Sequence, residues 1–99
     1  MDSSDTIGVC VVGAGRAGMI HAQNLCGGRI PGARLVAVSD PDAGQRRLCG
    51  EALQLDMTYD DYRVALADKQ VDAVIVAPPT MFHCVIVLAA AAAGKSVIC

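Results

Sequence analysis

Apolar runs alternate along the chain with segments whose apolar positions recur at helical spacing, and this alternation predicts five strands and four helices. The runs are rich in valine, isoleucine, leucine and alanine, as in strands buried on both faces of a sheet. The predicted strands cover residues 7–12, 34–39, 55–59, 71–77 and 96–99. The predicted helices cover residues 16–26, 42–53, 60–68 and 82–93. Such alternation with short connections is typical of an α/β fold with a doubly wound parallel sheet.

The helices are expected to bury aliphatic side chains against this sheet. The fourth helix is apolar all round, so most of its sides should be covered. The inward positions of the other three helices are expected to be Ala17, Ile20, Leu25, Leu48, Ala52, Leu53, Tyr62, Ala65 and Leu66. With 99 residues, 54% of them hydrophobic and 3% aromatic, the chain is predicted to form one domain with an aliphatic core.

Residues 1–5 are polar and acidic and are expected to form a flexible tail, which leaves residues 6–99 as the domain. The formal net charge is −2 and the eight Lys and Arg residues are scattered, which argues against a nucleic-acid partner. The longest apolar run, residues 85–93, is too short to span a bilayer, so no membrane association is expected. The five cysteines show no metal-binding spacing. They predict buried free thiols in the reducing cytoplasm and no metal site.

A glycine triplet connects the first predicted strand to the first predicted helix. Gly13 allows a tight turn, Gly15 allows the backbone to approach a ligand, and Gly18 allows the helix to lie close to the strand. A helix N-terminus offers free N–H groups and the positive end of a dipole, which suits a pyrophosphate. The triplet alone is a weak signal, and it gains weight when an acidic residue follows the second strand.

Asp40 meets that condition, because it stands at the end of the second predicted strand, about 20 residues beyond Gly18. Its carboxylate can accept hydrogen bonds from the ribose hydroxyls of adenosine and would repel a 2′-phosphate, which favours NAD over NADP. Arg46 and Arg47 could favour NADP, but both lie inside the second helix and are expected on its solvated face. The residues therefore predict a dinucleotide-binding site, against the alternative of a glycine-rich turn in another α/β fold.

The segment after the fourth predicted strand supplies a second wall for the same crevice. Strands one and four flank the expected switch point of the sheet, where ligands bind beyond the carboxyl ends of the strands. Ala77, Pro78 and Pro79 are therefore expected to face residues 13–18. A structural interpretation is a stiff strand-to-helix turn capped by Thr80, and the two interpretations are compatible.

These motifs resemble the N-terminal nucleotide-binding domain of the Gfo/Idh/MocA family of oxidoreductases, the glucose–fructose oxidoreductase and inositol dehydrogenase group. The Pro-Pro-x-x-x-His segment at residues 78–83 and the Gly-Lys-x-Val segment at 94–97 are the more specific parts. The similarity covers nearly the whole chain after the tail, at residues 12–21, 38–42, 59–62, 71–83 and 92–99. The resemblance implies a Rossmann fold truncated at its fifth strand, with NAD as its cofactor.

By this resemblance the cofactor contacts fall on the glycine turn, on the residue after the second strand and on the loop after the fourth. They are Gly13, Ala14, Gly15, Arg16, Ala17, Gly18, Asp40, Ala77, Pro78, Pro79 and His83. His83 matches a recurrent histidine of the family and either contacts the cofactor side of the crevice or hydrogen-bonds within the helix start. His21 also matches a family position and is interpreted as structural. Arg16 either approaches the cofactor or is exposed.

No catalytic residue is identified in this chain. In the family the catalytic lysine belongs to a Glu-Lys-Pro element directly after the fifth strand, and other acid–base residues lie in a C-terminal domain expected to be absent here. Lys95 precedes the fifth strand, so it is expected at the opposite edge of the sheet. The chain is therefore expected to bind the cofactor without turnover.

The resemblance implies a parent enzyme that transfers hydride to or from a hydroxyl-bearing carbon of a sugar, polyol or related small molecule. The substrate would bind only to a full-length protein. The alternative is a stand-alone, non-catalytic module that binds or senses NAD. A reductase of an amino-acid pathway is a third hypothesis, and residues 78–83 argue against it. The open edge of the fifth strand is expected to promote self-association.

Overall fold

A computed structural model of the chain describes residues 6–26, 30–55, 57–77 and 80–98, and the side chains at positions 16 and 80–83 lie outside this description. The strands of the described residues are β1 (Ile7–Val12), β2 (Ala33–Ser39), β3 (Thr58–Tyr59), β4 (Ala73–Val76) and β5 (Ser96–Ile98). The helices are α1 (Arg16–Cys26), α2 (Ala43–Leu53), α3 (Tyr62–Leu66) and α4 (Thr80–Ala92). The predicted tail at residues 1–5 and the residue Cys99 lie outside the described part of the chain.

The order and type of the described elements agree with the sequence prediction, and the differences lie at their ends. Both β1 and α1 have the predicted bounds. The strand β3 is confined to Thr58 and Tyr59, because these are the residues that pair with β2. The helices α2 and α3 begin one residue after Asp42 and Asp61, whose carboxylates cap them. The helix α4 begins at Thr80 rather than at position 82.

The strands form one parallel sheet in the order β3-β2-β1-β4-β5. The chain builds outward from β1 through β2 to β3 and then returns to the other side of β1 with β4. The switch point of the sheet therefore lies between β1 and β4, as the sequence predicts. The doubly wound Rossmann-type arrangement is confirmed, and it places any ligand site beyond the carboxyl ends of these strands.

The central strand β1 is buried on both faces. Val9 and Val11 pack with residues of α1 and α2, while Cys10 and Val12 pack with residues of α3 and α4. A strand covered on both sides needs apolar residues at successive positions, which explains the unbroken apolar run. Burial raises the pKa of the Cys10 thiol to about 12, so this group stays protonated inside the core.

The close approach of Gly18 to the preceding turn decides which face of α1 is buried. A Cβ atom at Gly18 would overlap the backbone of the turn, so this position must face the strand. Ala22 and Leu25 follow Gly18 at helical spacing and are buried with it. Leu25 is therefore confirmed as an inward position. The prediction is wrong for Ala17 and Ile20, which are exposed, Ile20 by 53%.

The helix α2 buries a position that the sequence prediction did not select. Cys49 is buried and its Sγ atom lies 3.9 Å from the Met19 Sδ atom of α1. With Cys49 turned toward α1 and the sheet, the adjacent Leu48 points outward and is 60% exposed. Ala52 is exposed as well, and Leu53 is half-buried. The inward assignment is thus wrong for Leu48 and Ala52.

On the other face of the sheet, α3 packs as predicted and α4 does not. Ala65 and Leu66 are buried. The helix α4 buries Ile86 and leaves Val85 and Leu88 exposed, by 58% and 65%. The expectation that α4 is covered on most sides is wrong, because in the described structure the helix packs against β4, β5 and α3 on one side.

At the amino ends of the strands, Gly8 and Asp72 bind each other through two hydrogen bonds. The Gly8 N–H donates to the Asp72 carboxylate at 2.8 Å, and the Asp72 N–H donates to the Gly8 carbonyl oxygen at 2.7 Å.

The Lys95 ammonium donates to the Asp68 carbonyl oxygen at 3.2 Å. Lys95 therefore lies at the amino end of the sheet, opposite the carboxyl ends, as predicted.

The cysteines are more exposed than the sequence suggests. Cys10 and Cys49 are buried free thiols, as predicted, whereas Cys26 and Cys84 are exposed free thiols. The prediction is wrong for the latter two because their positions on α1 and α4 face away from the sheet.

Among the described residues, no helix has the length and the apolar character needed to cross a bilayer.

Candidate cofactor-binding site

The turn between β1 and α1 begins at Gly13, whose φ of 101° lies in the left-handed region that favours glycine. The Gly13 N–H donates to the Ser39 carbonyl oxygen at 2.7 Å, which fixes the turn to the end of the neighbouring strand β2. A Cβ atom at Gly18 would overlap the Gly13 carbonyl oxygen, so glycine is needed there for α1 to lie against the turn. Gly13 and Gly18 therefore hold the shape of the turn.

Gly15 has no neighbour in the protein that would require a glycine. A Cβ atom built there meets no atom within 4 Å, and the residue lines a cleft. The Met19 N–H bonds to the Gly15 carbonyl oxygen at 2.8 Å, so the preceding N–H groups lie in the first turn of α1, without carbonyl partners in the helix. A ligand that approaches the backbone closely would account for the glycine, and the helix dipole suits an anionic ligand.

Asp40 follows β2 and binds the glycine turn directly. Its Oδ2 atom accepts a hydrogen bond from the Ala14 N–H at 2.8 Å, and its Oδ1 atom accepts one from the Asp42 N–H at 2.8 Å. The Asp40 N–H donates to the Tyr59 carbonyl oxygen of β3 at 2.9 Å. A carboxylate offers about four acceptor positions. Two backbone hydrogen bonds therefore leave Asp40 able to accept a pair of hydroxyl donors.

Arg46 reaches back from α2 to the end of β2, although the sequence places it on a solvated helix face. Its Nη1 atom donates to the Asp40 carbonyl oxygen at 2.7 Å, and the residue is half-buried. The Arg46 N–H bonds to the Asp42 carbonyl oxygen at 3.1 Å, so Arg46 stands about one helical turn beyond the cap. From that position a long side chain can return to the strand end. Arg47 is exposed, as predicted.

The glycine turn and Asp40 line one cleft, of about 640 Å³, beyond the carboxyl ends of β1, β2 and β4. A volume between about 300 and 1,000 Å³ is usual for small-molecule sites. The lining comes from the three strand ends and from α3 and α4. The lining residues are Val12, Gly13, Gly15, Ser39, Asp40, Pro41, Asp60, Asp61, Tyr62, Ala77, Val85 and Ile86.

Four residues of the predicted site lie on this cleft: Gly13, Gly15, Asp40 and Ala77. The Ala77 N–H bonds to the Val12 carbonyl oxygen at 2.8 Å, which holds the end of β4 beside the glycine turn. The structure thus brings together residues that are far apart in the sequence, at the position expected from the topology.

The remaining predicted residues fall into two groups. Ala14 is buried and reaches the site through its N–H, Gly18 is buried behind the turn, and Ala17 is exposed and does not line the cleft. His21, which the sequence analysis interprets as structural, is exposed. Outside the described part of the chain lie Pro78, Pro79 and the side chains of Arg16 and His83.

One wall of the cleft is missing from the sequence prediction. Asp60, Asp61 and Tyr62 follow β3 and line the cleft together with Val85 and Ile86 of α4. Parallel strands end at the same edge of a sheet, so the residues after β3 could have been assigned to the site by that rule. From the sequence, the two carboxylates are predicted only to favour the start of a helix. No local signal marks the two α4 residues, because their place on the cleft depends on packing.

The Asp61 carboxylate forms its hydrogen bonds with Arg63 of its own helix, α3. It caps α3 by accepting a hydrogen bond from the Arg63 N–H at 2.9 Å, and the Arg63 Nη2 atom bonds to its Oδ2 atom at 2.9 Å. The hydrogen bonds from the Arg63 side chain lower the pKa of the Asp61 carboxyl group. The neighbouring Asp60 is exposed at the cleft. Within residues whose structure is described, no group of His, Cys, Asp and Glu side chains could hold a metal ion.

A parallel sheet in this order, a glycine turn at its switch point and an acidic residue at the end of β2 define a dinucleotide-binding Rossmann domain. Residues 7–99 match the Gfo/Idh/MocA model, which describes an oxidoreductase family with an NAD-binding Rossmann fold. The chain belongs to the Gfo/Idh/MocA family, and NAD is the cofactor of this domain.

Several relatives of the chain are named as inositol dehydrogenases. Inositol 2-dehydrogenase 1 of Saccharopolyspora erythraea is 42% identical over 95 residues, which are 95% of this chain and 28% of that protein. Myo-inositol 2-dehydrogenase of Thermotoga maritima is 40% identical over 89 residues, which are 90% of this chain and 26% of that protein. The chain spans about a quarter of the length of these relatives.

Solved structures show the same fold. Scyllo-inositol dehydrogenase from Lactobacillus casei, crystallised with NAD(H) and scyllo-inositol, superposes with a TM-score of 0.85 at 30% identity, over 93% of this chain and 27% of that chain. A probable dehydrogenase from Thermotoga maritima superposes with a TM-score of 0.86 at 38% identity, over 92% of this chain and 27% of that chain.

Proposed function

We propose that residues 6–99 form the cofactor-binding domain of a dehydrogenase and bind NAD in the cleft at the switch point. The observation that carries the proposal is the junction of the glycine turn with Asp40. The Ala14 N–H bonds to the Asp40 carboxylate beside the open space at Gly15. One cleft thus contains a helix N-terminus for a pyrophosphate and a carboxylate for a ribose. Membership of an NAD-binding family supports the same assignment.

The pyrophosphate is assigned to the N-terminus of α1, above Gly15. Backbone N–H groups of residues 16–18 lie in the first turn of α1, where an anion is stabilised by hydrogen bonds and by the helix dipole. The absence of a Cβ atom at Gly15 lets a phosphate oxygen approach the backbone. Gly18 acts from behind the turn, by allowing α1 to pack against Gly13.

The adenosine ribose is assigned to the Asp40 carboxylate. Both carboxylate oxygens are oriented by backbone N–H groups, those of Ala14 and Asp42, so the group is held in place before a ligand binds. Its remaining acceptor positions match the two hydroxyl groups of an unmodified ribose. A 2′-phosphate would bring negative charge against the carboxylate, so we expect NAD to bind better than NADP.

The adenine ring is assigned to the apolar wall beside Asp40. Pro41, Tyr62 and Ile86 line this part of the cleft, and Tyr62 is half-buried. Aromatic and aliphatic side chains of this kind contact the faces of a flat ring. The exposed Asp60 carboxylate at the rim is an acceptor that suits the adenine amino group.

The parent reaction is assigned to hydride transfer at a hydroxyl-bearing carbon of a polyol, because the relatives are named inositol dehydrogenases. NAD, when bound, supplies the hydride acceptor, and the residues of this chain bind and orient it. Lys95 does not serve as an acid–base group here, because it bonds to the Asp68 carbonyl oxygen at the opposite end of the sheet. We therefore propose that the chain binds NAD without turnover.

Titration of NADH fluorescence against the 99-residue chain tests this function. We expect saturable binding that ADP-ribose reverses, since ADP-ribose contains the parts recognised by the glycine turn and Asp40. The Glu51→Ala variant, which removes an exposed carboxylate of α2 away from the cleft, should bind NADH normally. Failure of NADH and ADP-ribose to bind the folded chain would contradict the proposal. Formation of NADH from NAD and myo-inositol at an enzyme-like rate would contradict binding without turnover.

Two further properties are proposed from the same structure. The buried free thiols Cys10 and Cys49 support a reducing, cytoplasmic location. The strand β5 lies at the edge of the sheet, with Ile98 half-exposed, which supports self-association of the chain through this edge. Sedimentation at increasing concentration tests the second property, and an Ile98→Lys variant should reduce the association.

A further inference from the structure

We propose that Arg46 is a second specificity-determining residue of the cofactor cleft. With Asp40 in place, the Arg46 guanidinium holds the Asp40 backbone. Once the Asp40 carboxylate is removed, the guanidinium becomes the binding group for a ribose 2′-phosphate. This inference rests on the proposed NAD site and adds a residue that the sequence assigned to a solvated helix face.

The geometry places a cation next to Asp40, at the proposed ribose end of the cleft. The Arg46 Nη1 atom lies 2.7 Å from the carbonyl oxygen of Asp40, and Asp40 lines the cleft. The guanidinium therefore binds the backbone of the same residue whose carboxylate is proposed to bind the ribose hydroxyls. Its hydrogen bond to Asp40 uses one of five N–H donors, so others remain for a phosphate.

The Asp40 carboxylate and the Arg46 guanidinium have opposite effects on a phosphate. The carboxylate repels a 2′-phosphate, whereas the guanidinium at the carbonyl attracts one and can bind two of its oxygens at once. Asp40 is the nearer residue, because it lines the cleft, whereas Arg46 is not among the lining residues and stands behind the Asp40 carbonyl. The native chain therefore selects the unphosphorylated ribose, and the attraction of Arg46 is hidden until the carboxylate is removed.

Arg47 offers a matched control within the same helix. It carries the same charge one position further on, but it is exposed, whereas Arg46 is half-buried against the strand end. Long-range electrostatic attraction would be similar for the two cations. Direct binding of a phosphate would depend on Arg46 alone.

The test compares NADH, NADPH, 5′-AMP and adenosine 2′,5′-bisphosphate in four proteins: wild type, Asp40→Ala, Asp40→Ala with Arg46→Ala, and Asp40→Ala with Arg47→Ala. Alanine at position 40 adds no donor of its own. We expect Asp40→Ala to bind NADPH about tenfold or more tightly than wild type, as for a new charge-assisted contact. The gain should disappear with Arg46→Ala and persist with Arg47→Ala, and adenosine 2′,5′-bisphosphate should follow NADPH. Circular dichroism verifies that each variant is folded.

The outcomes separate this inference from the proposed function. Equal NADPH affinities in the two double variants, with NADH bound by wild type, would overturn the role of Arg46 and leave the NAD site intact. An unchanged NADPH affinity in folded Asp40→Ala would overturn it as well. If folded wild type bound neither NADH nor 5′-AMP, the proposed function would fail and the inference with it. Replacement of Arg46 by lysine in the Asp40→Ala background should keep part of the gain, because lysine retains the charge and loses the planar fork.

Discussion

The Ala14 N–H donates a hydrogen bond of 2.8 Å to the Asp40 Oδ2 atom, and this bond joins the glycine turn to the end of β2. The two residues lie on different βα units, so the bond exists only when β1 and β2 are paired in register. Val12 pairs with Ser39 at the ends of these strands. The turn and the carboxylate therefore form one preorganised unit, and a change at Asp40 acts on the turn as well as on the ligand.

Asp40→Ala should weaken NADH binding by about tenfold or more, because hydrogen bonds to a charged group contribute about 1.5–3 kcal/mol each. The Asp40→Asn variant separates the two roles of the carboxylate. Its amide oxygen can still accept the Ala14 N–H, but the negative charge that binds the ribose hydroxyls is lost. Fluorescence titration with NADH, alongside Glu51→Ala as the control, measures both effects. Wild-type affinity in both Asp40 variants would contradict the ribose assignment.

Gly15→Ala and Gly18→Ala should fail in different ways. At Gly15 the added Cβ atom meets nothing within 4 Å, so we expect the melting temperature to stay near wild type while NADH binding is lost. At Gly18 the added atom overlaps the Gly13 carbonyl oxygen, so we expect a loss of about 1–3 kcal/mol in the free energy of unfolding.

Thermal unfolding and NADH titration on both glycine variants check this contrast. Gly8→Ala is a control for loss of stability without a change at the cleft. Its Cβ atom would overlap the Gln70 carbonyl oxygen, which destabilises the fold from the amino end of the sheet. Unimpaired NADH binding by Gly15→Ala would show that no ligand approaches the turn at that residue.

Tyr62→Ala should reduce the affinity for 5′-AMP and NADH, because it removes the aromatic part of the wall assigned to adenine. Tyr62→Phe should retain most of the affinity, since the ring is kept. The exposed Val64 on the same helix provides a control substitution, Val64→Ala, outside the cleft lining. Isothermal titration with 5′-AMP measures the effect. Equal losses in Tyr62→Phe and Tyr62→Ala would argue against a contact between the ring and adenine.

The stability of the fold should fall as the pH rises from about 9 towards about 12. Burial raises the pKa of the Cys10 thiol from 9.0 to about 12, so over this range the unfolded chain loses a proton that the folded chain keeps. Each such proton contributes a slope of about 1.4 kcal/mol per pH unit, and the stabilisation is complete below the unfolded pKa. Burial also raises the pKa of Tyr59, which acts in the same direction.

Urea denaturation at a series of pH values measures this slope. Cys10→Ala should show a shallower decline above pH 9. Cys84→Ala, at an exposed thiol, should leave the decline as it is in wild type. An identical decline in wild type and Cys10→Ala would contradict the assignment to Cys10.

Much of the fold is predictable from short stretches of sequence. The run of residues 7–12 is apolar at almost every position, because β1 is covered on both faces, and Gly13 follows it where a positive φ is required. Asp40 was identified because its distance from the glycine triplet is a property of the chain alone. Local periodicity was less informative for helix orientation: Ile20 and Leu48 are apolar but exposed, since Gly18 and Cys49 take the buried faces of α1 and α2.

The sequence by itself determined the order of the elements, the parallel sheet, and the glycine turn and acidic residue of the proposed site, because these depend on side-chain periodicity, turn chemistry and spacing along the chain. The tertiary structure alone decided that Arg46 binds the Asp40 carbonyl oxygen and that Val85 and Ile86 of α4 line the cleft. These contacts require α2 to fold back on β2 and α4 to pack against the sheet beside β4. They depend on packing between segments distant in the chain, which no local pattern records.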